Sequence, residues 1–187
     1  MIGVDEVGRG AWAGPLLVVG ARLKPGRQLP SGLKDSKMLS RVQRERLFPL
    51  IMEAFDIGDG WVSPRFIDKY GLTRALEVAT FSAVTKLGAQ VTDNICIDGV
   101  QNFLHSYAFI SVVTKVKADM SEPVVAAASI AAKVMRDAYM YDAAHNFPNY
   151  GFDKHVGYGT QLHRKCLQDN GVCELHRRSF KPVAEFA

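Results

Sequence analysis

Two carboxylates stand side by side at Asp5 and Glu6, at the end of the strand-like run Ile2-Gly3-Val4 and just ahead of Gly8. Neighbouring side chains on a strand point to opposite faces, so both can serve one site only where the strand ends or bends, and Gly8 supplies a bend. Asp98 closes the apolar run Ile95-Cys96-Ile97 and precedes Gly99. The C-terminal end of a strand is a favoured position for ligand chemistry in α/β sheets, and equally a common one for a turn aspartate. Asp119 lies shortly before a helical stretch, where a carboxylate can also simply complement the helix N-terminus. Further along, Ser129, Lys133 and Asp137 recur at i, i+4 and i+8 on a helix whose residues 124–134 are otherwise small or aliphatic. Such a stripe borders either solvent or a polar site. If Asp5, Glu6, Asp98 and Asp119 converge, they cannot all stay ionised without a counter-charge. Mg²⁺ or Mn²⁺ would supply it through oxygen ligands, and two such ions ~3.5–4 Å apart can clamp the attacking and leaving oxygens of a phosphodiester. The three cysteines lack zinc-type spacing, and the five histidines form no ligand cluster near these acids. Convergence is a question for the fold, not for spacing.

Basic residues fit a phosphate partner. Lys34 and Lys37 flank Asp35-Ser36, Arg9 sits between Gly8 and Gly10, and residues 176–181 form the run His-Arg-Arg-Ser-Phe-Lys. Glycines around Arg9 would let backbone N–H groups approach a nucleic-acid strand, while phosphate contacts would give affinity with little sequence preference. The same residues also read as a turn arginine and a solvated basic face. A net charge of +4, from 23 basic and 19 acidic residues, permits an anionic partner without requiring one.

The elements that must position these residues can be traced along the chain. Residues 2–5 and 15–22 read as a hairpin with a glycine-rich connection, followed by a loop over 25–37. Ser40 with Gln43 is a capping box opening a helix, in which Pro49 predicts a kink or break. A strand over 56–62 follows, then a Ser63-Pro64 helix start stopped by Gly71, and a helix over 72–87. Strands are expected over 94–98 and 108–116, and Ser121 is expected to cap a long helix reaching residue 144. A loop over 149–159 leads to a last helix from Thr160 to Gly171. This order argues an α/β fold: a mixed β-sheet flanked by helices, with additional C-terminal helices. At 187 residues, with 48% hydrophobic and 22% charged content, the chain has the size and composition of one ordered domain. No apolar run approaches the ~18 residues of a membrane-spanning helix. With no secretory signal and an odd number of cysteines, a cytoplasmic protein with reduced thiols is expected.

The chain resembles ribonuclease HII along nearly its whole length. The matching stretches are Gly3-Val4-Asp5-Glu6-Val7-Gly8-Arg9-Gly10, Leu33-Lys34-Asp35-Ser36-Lys37 and Ile97-Asp98-Gly99. They continue through Lys117-Ala118-Asp119, residues 126–134, Arg136-Asp137, Tyr150-Gly151-Phe152, residues 155–160 and residues 176–180. The resemblance implies a ribonuclease H-like fold forming one catalytic domain over 1–187, with its core at about 1–144 and a helical substrate-binding part at about 145–187. It implies an endonuclease that cleaves RNA in RNA–DNA hybrids and incises duplex DNA 5′ of a single embedded ribonucleotide, leaving 3′-OH and 5′-phosphate. By position, Asp5, Glu6, Asp98 and Asp119 match the metal-binding acids of a two-metal Mn²⁺ or Mg²⁺ site, and Asp137 a further nearby acid. Gly8, Arg9 and Gly10 match the motif whose backbone contacts the ribose 2′-OH, and Tyr158 the tyrosine that stacks on the sugar beyond it. Lys34, Lys37 and Arg178 complete the expected substrate contacts. A monomer without an obligate protein partner is implied, and the short tail after Phe180 predicts no sliding-clamp peptide. Two departures stand out: Ala11-Trp12 replaces Pro-Leu in the glycine-rich motif, and Asp68-Lys69-Tyr70-Gly71-Leu72 replaces the usual Asp-Glu-x-Asn-Ile-Leu.

Overall fold

The computed structural model of the chain describes residues 1–33 and 39–187; Lys34 and Lys37 lie outside the described residues. β1 (Ile2–Val7) and β2 (Leu16–Leu23) form the expected hairpin, pairing antiparallel from Gly3 opposite Ala21 to Val7 opposite Leu17. β3 (Phe55–Val62) extends this meander antiparallel on β2. On the other side of β1, β4 (Asn94–Asp98) and β5 (Ser111–Lys115) add in parallel, giving the order β3-β2-β1-β4-β5. The sheet is therefore mixed, with β1 at the change from antiparallel to parallel pairing.

Each face of the sheet carries a helical layer. On one, Ile2, Val4, Leu16, Val18, Ile95 and Ile97 pack against Ala75, Leu76, Ala79 and Ala83 of α2 (Pro64–Lys86). On the other, Leu17, Val19 and Ala21 pack against the alanine-rich start of α4 (Pro123–Asn146), with α1 (Arg41–Ala54) alongside. Gly3 permits this second contact: a Cβ there would fall 2.4 Å from the Val124 carbonyl carbon. Burying such residues contributes roughly 25 cal/mol per Å² of apolar surface. A third cluster joins Ala13 of the β1–β2 connection to Met140, Tyr150, Phe152 and Leu167. It fastens α5 (Phe152–His155) and α6 (Gln161–Asn170) to the end of α4, and α7 (Lys181–Ala184) follows.

Local chemistry explains where the elements begin and stop. Ser40 and Gln43 form the reciprocal capping box, Ser63 caps α2 through the Phe66 N–H, and Thr160 caps α6 through the His163 N–H. Gly71 interrupts α2 at φ 81°, ψ 163°, the break expected there. Pro49, by contrast, does not break α1. It is exposed, so the Glu45 carbonyl that loses its intrahelical donor faces water. Ser121 does not cap the long helix but ends a single turn, α3 (Ala118–Ser121), and Pro123 opens α4 behind Glu122. Proline's fixed φ at the first helical position decides that start. β5 is shorter than the expected 108–116, and 149–159 is not all loop, since it holds a 3₁₀ turn at Pro148–Tyr150 and then α5.

Candidate active site

Three of the sequence-singled acids come together at the C-terminal ends of the inner strands β1 and β4. β1 and β4 run parallel with Val4 beside Ile97, so the next residues, Asp5 and Asp98, are neighbours at the ends of adjacent strands. Side-chain alternation sends both toward α4, where the Ser129 hydroxyl hydrogen-bonds Asp5. Glu6 takes the opposite face but sits at the strand's end, and its Oε1 meets Arg9 Nη1 at 3.4 Å. Asp98 Oδ1 accepts the Ala118 N–H at 2.7 Å, which ties β4 to the turn of helix carrying buried Asp119. Burial pushes the Asp5 carboxyl up to about 7; the charges of Glu6 and Asp98 reinforce this and the Ser129 hydroxyl opposes it. Glu6 is raised as well, by burial and then by Asp98, against the pull of Arg9. Among the described residues, no three His, Cys, Asp or Glu side chains yet stand close enough to share one ion. The donor set nonetheless fits a hard divalent cation in kind: it is all oxygen, and the neighbouring charges add to the burial that raises Asp5 and Glu6.

Asp137 belongs to the border of this site. Its Oδ1 accepts Lys133 Nζ at 2.8 Å, and Lys133 in turn lies 5.7 Å from the centre of the Tyr158 ring. The polar stripe of α4 thus runs from Ser129 at Asp5, past Lys133 at Tyr158, to Asp137. Tyr158 reaches the glycine-rich connection directly, its hydroxyl accepting the Gly8 N–H at 3.3 Å. Arg9 extends its guanidinium from Glu6 to Gln101 Oε1 at 3.3 Å, and Gly10 is exposed with open space where a Cβ would stand. Arg178 is exposed, and its backbone N–H donates to Asp68.

The glycine-rich connection is held from inside by two arginines. Arg136 is fully buried and donates to the carbonyls of Ala13, Pro15 and Val156. Arg177, also fully buried, donates to the carbonyls of Gly14 and Arg9. Among the described residues neither makes an ion pair. Burial, then the neighbouring Arg136 charge, pulls the Arg177 guanidinium down to about 9. Gly8, at φ 84°, leaves room for this arrangement, since a Cβ there would stand 2.2 Å from Arg136 Nε.

Three histidines hold the segment bearing Tyr158. His155 Nε2 contacts the Tyr150 carbonyl at 2.8 Å, and its Nδ1 accepts the Gly157 N–H. His163 Nδ1 contacts the Tyr158 carbonyl at 3.0 Å, and its Nε2 lies 3.0 Å from His176 Nε2. His176 Nδ1 accepts the Cys173 N–H. One assignment satisfies all five contacts: three neutral rings protonated at Nε2 of His155, Nδ1 of His163 and Nε2 of His176. Burial agrees, lowering His155 and pulling His163 and His176 down to about 4. Trp12 lies 5.5 Å from the His163 ring and packs where a Cβ on Gly159 would be, so the substituted residue braces the Tyr158 segment. Sequence reasoning missed these buried arginine and histidine roles; the signal available was repeated His and Arg beside the glycine-rich stretches.

The ribonuclease HII family model matches residues 2–183. A relative named ribonuclease HII from Chloroflexus aurantiacus is 42% identical over 190 residues, covering 99% of this chain and 88% of its own. Among solved structures, the PCNA:RNase HII complex from Archaeoglobus fulgidus aligns with TM-score 0.83 at 27% identity, over 96% of this chain and 94% of the other. Bst-RNase HIII in complex with Mn²⁺ shares the fold at TM-score 0.74 and 20% identity, over 98% of this chain and 68% of the other.

Proposed function

Because the chain belongs to the ribonuclease HII family, and is by that membership an endonuclease acting on RNA–DNA hybrids, we propose that it also incises duplex DNA 5′ of single embedded ribonucleotides. The products would be a 3′-OH and a 5′-phosphate. The observation that carries this reading is the contact between the Gly8 N–H and the Tyr158 hydroxyl, two residues beyond Glu6. The 2′-OH is what distinguishes a ribonucleotide from its deoxy neighbours. A backbone N–H and a phenol meeting at a glycine-flanked turn can exchange their mutual contact for that hydroxyl without reading the base.

Asp5, Glu6, Asp98 and Asp119 are the residues that would hold Mn²⁺ or Mg²⁺, in a two-ion arrangement that suits the number of acids. The bound ions would supply charge neutralisation at the phosphate and an activated water. The protein does the rest. Ser129 orients Asp5, Asp98 fixes the position of α3, and Arg9 restrains Glu6. Arg136, Arg177 and the histidine chain hold the hydroxyl-reading turn and Tyr158 in mutual register. Arg178, with Lys34 and Lys37, would contact phosphates. Asp137 acts through Lys133. We take the chain to work as a single catalytic domain and as a monomer, without an obligate protein partner. We place it in the cytoplasm, where its three free thiols would stay reduced. Among the described residues no helix is long and apolar enough to cross a membrane.

The test is an end-labelled DNA duplex containing one ribonucleotide, incubated with protein and Mn²⁺ or Mg²⁺ beside an all-DNA duplex. A single metal-dependent nick 5′ of the ribonucleotide, absent from the all-DNA control, is expected. Cutting of long hybrids alone would remove the role given to Tyr158. A second reading, a hybrid-binding protein without catalysis, is disfavoured by the mutually repelling Asp5, Glu6 and Asp98, for which a binder has no use.

A further inference from the structure

The first turns of α2 and the segment 174–178 enclose a recess of about 480 Å³ lined by Arg65, Asp68, Lys69, Glu174, His176 and Arg178. Arg65 and Lys69 are four residues apart on the part of α2 before the Gly71 break, so they share a face. Both are exposed, as is Arg178, and none of the three makes an ion pair among the described residues. Asp68, the acid nearest them in sequence, is already engaged. Its carboxylate accepts the Arg178 N–H at 3.0 Å, the Ser179 N–H at 2.9 Å and the Ser179 hydroxyl at 2.6 Å. It therefore works as a clasp that fixes the rim, and three cations are left facing one opening.

The recess adjoins, through consecutive residues, an anchor of the glycine-rich turn. Arg177 points inward and donates to the Arg9 carbonyl, while the next residue, Arg178, lines the recess.

We propose that this recess binds a backbone phosphate of the duplex flanking the ribonucleotide, with Arg65, Lys69 and Arg178 as its cationic contacts. The assignment rests on the nucleic-acid reading given above and adds to it a particular subsite. Glu174 provides an internal control of sign. It is the lining carboxylate not consumed by the clasp, so it opposes the anion, and its neutralisation tightens binding where loss of Arg65 or Lys69 weakens it.

The experiment measures duplex affinity against salt concentration, with chelator present so that no strand is cut. Wild type is compared with Arg65→Ala/Lys69→Ala, Glu174→Gln and Lys86→Ala. Lys86 lies at the far end of α2 and is already paired with Asp59. One phosphate contact contributes a slope of about 0.9 in log K against log salt, so the double variant should lose roughly that amount and bind about 3–10-fold more weakly. Glu174→Gln should bind more tightly and Lys86→Ala should keep the wild-type slope. An unchanged slope in the double variant, or weaker binding by Glu174→Gln, would overturn the assignment. Those failures would leave wild-type nicking of the single-ribonucleotide duplex intact, whereas failure of the functional reading would show as no wild-type nick.

Discussion

The two halves of the site treat buried charge in opposite ways. At the ends of β1 and β4, acids are gathered with too little positive charge, and Asp5 is driven up to about 7, first by burial and then by the charges of Glu6 and Asp98. Behind the glycine-rich turn, two buried arginines and three buried histidines have their polar contacts matched to a carbonyl, an N–H or one another. An uncompensated buried group costs free energy unless a ligand completes it, while a satisfied network costs little and fixes one geometry. On the proposed reading the first half is built to take up a cation and change, and the second to hold still.

The largest expected break is at the acids. Asp5→Asn keeps the shape but removes the charge, and cleavage should fall by roughly 10³-fold or more, the equivalent of several kcal/mol of transition-state stabilisation. The same variant should make the metal-free protein more stable, read as a higher melting temperature, because a repelled buried carboxylate has gone. A comparable single change in the other half should do the reverse. Arg136→Met leaves three carbonyls without their donor and should destabilise by about 3 kcal/mol in denaturant titration.

Acidity separates the halves further. His163 and His176, at about 4 in the folded protein against 6.5 unfolded, are protonated more readily in the unfolded chain. Their contribution is complete above pH 6.5 and is lost as the pH falls toward 4. Asp5 has the opposite sign. Its folded pKa, about 7, lies above the ordinary 3.8, so its contribution is present at low pH and lost as the pH rises through 7. In Asp5→Asn the histidine signature should stand alone, and unfolding free energy should fall steadily from pH 6.5 to 4, by on the order of a few kcal/mol. A flat profile there would refute the neutral histidine chain. Smallest is Ser129→Ala, which removes one hydrogen bond from Asp5 and should weaken metal affinity about 10-fold by calorimetry.

The contrast also explains what could be read from the residues. Asp5 and Asp98 were legible because strand ends are marked by simple signals: a short β-branched run, then glycine. The parallel register that makes them neighbours is long-range and had to come from the fold. Ser121 misled because two helix-start signals lie two residues apart, and Pro123 prevails by its fixed φ. Pro49 does not end α1 because the cost of a proline depends on whether the orphaned carbonyl reaches water, which is a property of burial. Arg177 was hidden for the same reason. In a basic run, composition does not tell which side chain turns inward, and here Arg177 does while Arg178 stays out.

The central claim is that the acid edge binds divalent metal and repels the phosphate it acts on, while the rigid half holds the nucleic acid. Calorimetric titration of Mn²⁺ into wild type and Asp98→Asn, each bound to a single-ribonucleotide duplex, tests it most directly when paired with each protein's duplex affinity. The account predicts that Asp98→Asn loses Mn²⁺ binding and cleavage while duplex affinity is kept or raised. Undiminished Mn²⁺ binding by Asp98→Asn, or loss of duplex binding from a normally folded variant, would contradict it.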